Sequence, residues 1–244
     1  TNANFPILML ILVCCYFCND ILVNIFMNEE LDISKIFDKY ASNYDDFTIE
    51  YTVSRRYEFV KSLLGQKVFE VGASTGELLK HINTEDFEYI LLSDASEEMC
   101  NVIKNTFNHN AKCVDIDNIT LKNLKFNSIL ALDVLCYAKN ISLSLKSLES
   151  LLEDGGSIIV STFNPKLKFL LYIRYLLNKF TNFKHVWFNE NIPREMEYIN
   201  IDLLKKGLEV SNLEIFKTYY IAPIPFKFFD SANRKLEKTF FKYL

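Results

Sequence analysis

The sequence predicts an α/β fold in which a mainly parallel, doubly wound sheet carries helices on both faces. Three observations predict it. Lys67-Val-Phe-Glu-Val71 is an apolar, β-prone run that enters a turn containing Gly72 and Gly76, and a strand that meets a glycine turn before a helix is the opening unit of such sheets. Tyr89-Ile-Leu-Leu-Ser-Asp94 is a second apolar run, ending in an acid. Asp154-Gly-Gly-Ser-Ile-Ile-Val-Ser-Thr-Phe163 is a double-glycine turn leading into a third. Helix-period segments between these runs supply the crossovers.

Taken in order, Pro6 to Cys18 is almost unbroken apolar sequence and resumes over Ile21–Met27. It is shorter than the roughly 20 apolar residues of a spanning helix and has no Lys or Arg before it, which argues against a flanked anchor or a secretory leader. Residues 1–26 are therefore expected to lie outside the core as an upstream extension, with a membrane anchor and a docked helix as alternatives. Met27-Asn-Glu-Glu would make an ordinary start for a soluble protein. Residues 27–66 are expected to form N-terminal helices. Tyr40 and Tyr44 are four apart and share a helix face. From Tyr51 to Leu64, positions 53, 56, 57, 60, 63 and 64 make a helical stripe. Arg56 lies on that inward stripe and Arg55 off it. A half-buried arginine needs an anionic partner; a structural ion pair and a ligand carboxylate both qualify.

The main domain is expected over residues 67–244. Gly72 and Gly76 permit torsions and close approaches that a Cβ would block, and Thr75 is placed to cap a helix over 76–81. Ser96 to Phe107 reads as the next crossover helix, with Glu97 and Glu98 in its first turn and Met99, Val102, Ile103 and Phe107 at helical spacing. Ala111–Asp117 reads as a third strand with an acidic end, Asn127–Tyr137 as a fourth, and Ile141–Leu152 as the helix before the fifth. The pattern changes over 164–198. Phe169–Leu177 is apolar on nearly every face with Lys166, Lys168, Arg174, Lys179 and Lys184 around it, which suits a substrate cap, a lipid-facing helix or burial against the sheet edge. Ile201–Val210 then reads as a helix and Leu213–Ile221 as a sixth strand. No seventh is visible beyond Pro223 and Pro225, and truncation at both ends is the expectation.

The stretch Glu70-Val-Gly72-Ala73-Ser74-Thr-Gly76 separates two ligand classes. A dinucleotide fingerprint needs Gly-x-Gly-x-x-Gly against a pyrophosphate, and that register would put Ser74 and Glu77 where glycines belong. The spacing resembles motif I of the class I S-adenosylmethionine-dependent methyltransferases, which often carry Gly at the place of Ser74. Asp94, Asp115 with Asp117, and Asp133-Val134 stand in order where the family has the acidic ends of its next strands and motif IV. Ser34 to Asp46 is similar to the family's Phe-Asp-x-x-Ala-x-x-Tyr-Asp segment.

This resemblance, spanning roughly 100 residues of core motifs, implies a Rossmann-like, seven-stranded sheet of order 3-2-1-4-5-7-6, with the last strand antiparallel or missing. It implies S-adenosyl-L-methionine as cofactor, with Asp94 at the ribose, the acidic end of the third strand at Asp115 against the adenine, and Ala95 and Ile116 beside them as further cofactor contacts. Glu70, Gly72, Ala73, Ser74 and Gly76 would form the turn beside it, and Asp133 and Val134 the motif IV wall. Tyr44 would contribute from a lid and Arg56 through a carboxylate; Met99 is either an adenine contact or core.

Methyl transfer from a sulfonium needs donor and acceptor held in line and no enzyme nucleophile. A hydroxyl acceptor would use a base, for which His185 is the candidate, with Tyr137 a further acceptor-side residue. His81 and His109 read as surface residues. The Asn/Asp-Pro-Pro-Tyr grip of amino-methylating nucleic-acid enzymes is missing; Asp133-Val-Leu-Cys stands there. With a formal net charge of −4 over 244 residues, this favours a small-molecule methyl acceptor over nucleic acid, with oxygen the preferred atom. A protein or RNA substrate, supported by Lys227, Arg234, Lys235, Lys238 and Lys242, and a non-catalytic scaffold remain as alternatives. Cys15-x-x-Cys18 lacks a second pair for a metal site, so no metal is expected. Cys100, Cys113 and Cys136 read as buried free thiols, fitting a cytoplasmic setting. Membrane contact stays open for 1–26 and 166–184, and oligomeric state is undetermined.

Overall fold

A computed structural model describes residues 7–14, 32–47, 50–163 and 201–221. Seven strands form one sheet: β1 (Ile7–Cys14), β2 (Lys67–Val71), β3 (Tyr89–Asp94), β4 (Ala111–Cys113), β5 (Phe126–Leu132), β6 (Leu152–Phe163) and β7 (Leu213–Ile221). Their order is β4-β3-β2-β5-β6-β1-β7, and every pairing between them is parallel.

A parallel sheet covered on both faces needs strands that are apolar throughout, because successive side chains point to opposite sides. Phe69, Val71, Ile129, Ala131, Ile158 and Val160 enter one core. Their neighbours Val68, Leu130, Leu132 and Ile159 enter the other. The first face is closed by Leu145 and Leu148 of α4 (Ile141–Glu149) and Leu204 of α5 (Ile201–Leu208). The second is closed by Val53, Tyr57 and Val60 of α2 (Glu50–Val60) and by Cys100 and Ile103 of α3 (Glu97–Phe107). Full burial of each large side chain contributes about 2 kcal/mol. Phe69 and Phe126, both without exposed surface, also stack at 5.2 Å.

The first five positions of the sheet follow the expected order, with the glycine-turn strand β2 at its centre. The sixth position departs from it, while the last is held by β7, the strand expected there. The place expected for a late, antiparallel strand is filled by β1, which pairs in parallel with β6 from Leu8↔Ser157 to Cys14↔Phe163 and with β7 from Ile7↔Leu213 to Cys14↔Ile221. Residues 7–14 are therefore in the sheet rather than outside the core. A continuous apolar run of eight residues is what a strand covered on both faces requires, and periodicity alone does not separate it from an anchor.

Other expectations shift locally. The helix expected over 76–81 is a short 3-10 turn, Glu77–Lys80, whose preceding residue Gly76 is left-handed (φ 84°) and which has no side-chain cap. The double glycine lies inside β6: register passes from Phe126↔Leu152 to Ser128↔Ser157, so four residues bulge opposite Asn127, with Gly155 at φ 76°. Cys113 is exposed rather than buried, because β4 is an edge strand. Among the described residues no helix is long and apolar enough to cross a membrane. The 164–198 insertion, the 222–244 tail and His185 lie outside the described residues.

Candidate functional site

The carboxyl ends of β2, β3, β4 and β5 open into a cavity of about 420 Å³, within the range usual for small-molecule sites. Its floor begins at the glycine turn. Gly72 has φ 72°, and a Cβ there would meet Val134 Cγ2 at 2.6 Å, so only glycine lets β2 and the loop after β5 close together. Ser74 occupies the left-handed region at φ 52°, a conformation that costs a residue with a side chain about 1 kcal/mol or more and that glycine would adopt freely.

That strained turn is held from β3. The Ser74 amide donates to Asp94 Oδ2 (2.8 Å) and the Ser96 amide to Asp94 Oδ1 (3.0 Å). Burial pushes the Asp94 carboxyl up, while these amide bonds oppose the shift. Ser96 also caps α3, its hydroxyl oxygen accepting from the Met99 amide at 3.1 Å.

The N-terminal segment covers the cavity through two polar attachments. Asp38, in α1 (Ile33–Tyr40), accepts from Ser96 Oγ at 2.6 Å and from the Glu98 amide at 3.2 Å. In the turn that follows, Asp45 accepts from Thr75 Oγ1 at 2.6 Å and Lys80 Nζ at 2.8 Å. Thr75 therefore binds the lid instead of capping a helix. Between the attachments, Phe37 meets Tyr44 and Tyr137 edge to face, with centroids 6.2 and 5.5 Å away.

In the cavity wall, Arg56 forms an ion pair with Asp133 Oδ2, and Ser161 Oγ donates to Asp133 Oδ1 at 2.7 Å. The structural partner for Arg56 is thus the one formed. Tyr57, one residue on, donates to the buried Glu70 Oε1 at 2.7 Å. His81, half-buried, stacks on Tyr57 at 5.6 Å, and its Nε2 lies 3.0 Å from Glu77 Oε1; it packs against this cluster rather than standing free on the surface. On the adenine side anticipated from the motifs, Asp115 and the buried Ile116 follow β4, and Asp117 accepts from the Lys139 amide at 3.0 Å.

Tyr44, Arg56, Gly72, Ser74, Asp94, Ala95, Met99, Asp115, Ile116, Asp133, Val134 and Tyr137 all line the one cavity. Glu70, Ala73 and Gly76 do not line it; they support the turn from behind. Phe37, Tyr57, Asp117 and Lys139 line it as well, without having been assigned to the site. Phe37 and Asp117 stood inside segments read from the sequence and Tyr57 on the inward stripe beside Arg56; Lys139 gave no signal beyond residue type. The charge is one-sided. The described lining holds Asp94, Asp115, Asp117 and Asp133 at or just after the strand ends, Glu77 in the turn after β2, and Asp32 and Asp45 on the lid side, against Arg56 and Lys139 as its cations; Lys80, outside the lining, pairs with Asp45 and Glu77, and Lys35 with Asp32. Among the described residues no group of three or more His, Cys, Asp or Glu side chains is arranged to hold a metal ion.

A family profile described as a methyltransferase domain matches residues 45–218. No curated protein matches the chain. Among solved structures, the CcbJ methyltransferase of Streptomyces caelestis is 19% identical with a TM-score of 0.48, covering 53% of this chain, which spans 58% of that protein's length. A possible histamine N-methyltransferase of Thermotoga maritima is 21% identical over 72% of this chain and 80% of its own, with a TM-score of 0.48. The magnesium protoporphyrin IX methyltransferase of Synechocystis, solved with bound S-adenosylmethionine, is 18% identical over 58% of this chain and 80% of its own, with a TM-score of 0.40.

Proposed function

The chain belongs to the methyltransferase-domain family, and we propose that it binds S-adenosylmethionine in this cavity and methylates a small-molecule acceptor, by preference at oxygen. The observation that carries the reading is Asp94, fixed by two backbone amides at the end of β3 beside the glycine turn and lining the cavity.

The residues present fit that cofactor. Each Asp94 oxygen keeps lone-pair capacity for ribose hydroxyls after its amide bond. Buried Met99 and Ile116 offer apolar surface to an adenine. The excess of carboxylates over cations in the lining suits a ligand bearing a sulfonium and an ammonium. The cofactor supplies a methyl group on positively charged sulfur, whose departure leaves a neutral thioether.

The protein's own contribution is position. Gly72, Ser74 and Asp94 hold the ligand from below; Phe37 and Tyr44 cover it and exclude water. Asp133, locked by Arg56 and Ser161, sets the wall against which Val134 and Tyr137 orient an acceptor. Such orientation supplies much of the barrier reduction in a displacement. Neither His81 nor His109 lines the cavity, and we assign the base for a hydroxyl acceptor to His185, outside the described residues.

Calorimetric titration of S-adenosylmethionine into the full chain, beside Asp94→Ala, tests the reading. Micromolar binding that the variant weakens at least tenfold is expected. Absence of binding by folded wild type would leave a scaffold that keeps the fold without the cofactor.

A further inference from the structure

Building on the cavity as the S-adenosylmethionine site, we infer that Tyr57 is a positioning residue whose hydroxyl holds Glu70 behind the glycine turn as the site's proton-linked counter-charge. When a cationic ligand enters, the Glu70 O–H bond breaks, the carboxyl keeps the electron pair as carboxylate, and the proton leaves to buffer.

The geometry is specific. Glu70 has no exposed surface, its Oε1 accepts from Tyr57 Oη at 2.7 Å, and its Oε2 has no hydrogen-bond partner among the described residues. An unsatisfied buried carboxyl oxygen is costly. An apolar side chain at the end of β2 would avoid that cost, so something other than packing is served. Tyr57 reaches both places, lining the cavity on one side and Glu70 on the other. Its ring is fixed independently of the hydroxyl, by the near-parallel His81 ring and by the Arg56 guanidinium 5.2 Å from its centroid.

The charged and titratable groups acting on Glu70 are Tyr57 and Arg56 from α2, Glu77 from the turn after β2, and Asp94 from β3. Burial dominates and pushes the Glu70 carboxyl up to about 7, against the Tyr57 hydrogen bond and Arg56, which hold it down. A carboxyl poised there is protonated in the empty site below neutrality and is tipped to carboxylate by one added positive charge.

Tyr57→Phe keeps the stacked ring and removes the bond that favours the ionised form. S-adenosylmethionine affinity should then fall about tenfold at pH 7 and recover when the pH is raised, the midpoint of its pH profile moving up by about one unit. Calorimetry in two buffers of different ionisation enthalpy should show wild type releasing close to one proton per ligand at pH 6, and Glu70→Gln releasing none from this site. The ligand's own amine titrates alike in both, so their difference isolates Glu70. A Tyr57→Phe profile that drops without shifting, or equal proton release by wild type and Glu70→Gln, overturns the inference while leaving the cofactor reading intact. Wild type that is folded but binds no ligand overturns both.

Discussion

The two sides of the sheet differ in what they carry. Among the described residues, those that line the cavity come from the side built from β4, β3, β2 and β5 together with its lid; the other side is built from β6, β1 and β7. The first side is dense in positions where one residue type is required, such as Gly72 against Val134 and Asp94 under two amides. The second is held by strand pairing, and its middle strand comes from the far N-terminal part of the chain. Chemistry is thus concentrated where the backbone is most constrained, and the other side serves to complete the sheet.

The sharpest way to break this comparison is at the joint between the sides. Arg56→Met would leave the half-buried Asp133 without this cation; breaking a fully buried pair costs about 3–5 kcal/mol, and the partial exposure of Asp133 puts the expected loss at about 2 kcal/mol. Denaturant unfolding should show that loss, and ligand affinity should fall with it because both residues line the cavity.

On the second side, Leu10→Pro removes a ladder donor in β1, whose residue 10 pairs with Ile159 and Lys217. A cost of about 3 kcal/mol or more is expected. Protein that remains folded should bind S-adenosylmethionine within a few-fold of wild type. A binding loss as large as the stability loss would mean that the two sides are not separable.

A pH series sharpens the first side. Glu70 holds its proton more tightly folded than unfolded, so the associated stability is full below about pH 4.5 and is lost as the pH rises through about 7. The loss amounts to about 3 kcal/mol. Unfolding of ligand-free protein from pH 4 to 8 should show this decline, and Glu70→Gln should flatten it. The smallest effect is expected at the lid. Phe37→Ala removes two edge-to-face contacts worth about 1 kcal/mol each. It should alter ligand off-rate more than melting temperature.

How legible each side was follows from the same contrast. Glycines at 72 and 76 and acids at 94, 115 and 133 mark strand ends because few other residues serve there, and the structure gathers those acids, together with Gly72, around one cavity. Residues 7–14 carry no such mark. An eight-residue apolar run is compatible with a buried strand, a helix or an anchor, and only pairing across more than 140 residues of chain distinguishes them. Thr75 illustrates the remaining gap: its spacing suited a cap, but Gly76 in the left-handed region redirected the backbone and Asp45 took the hydroxyl. Tyr57 was legible as inward-facing, yet its bond to Glu70 depends on how α2 lies across β2.

A crystal structure of the full chain with S-adenosylhomocysteine tests the central claim most directly. The account predicts both ribose hydroxyls within hydrogen-bond distance of Asp94, the adenine against Ile116 and Met99, and Glu70 still held by Tyr57. Ligand bound outside this cavity, or with its ribose away from Asp94, would contradict it.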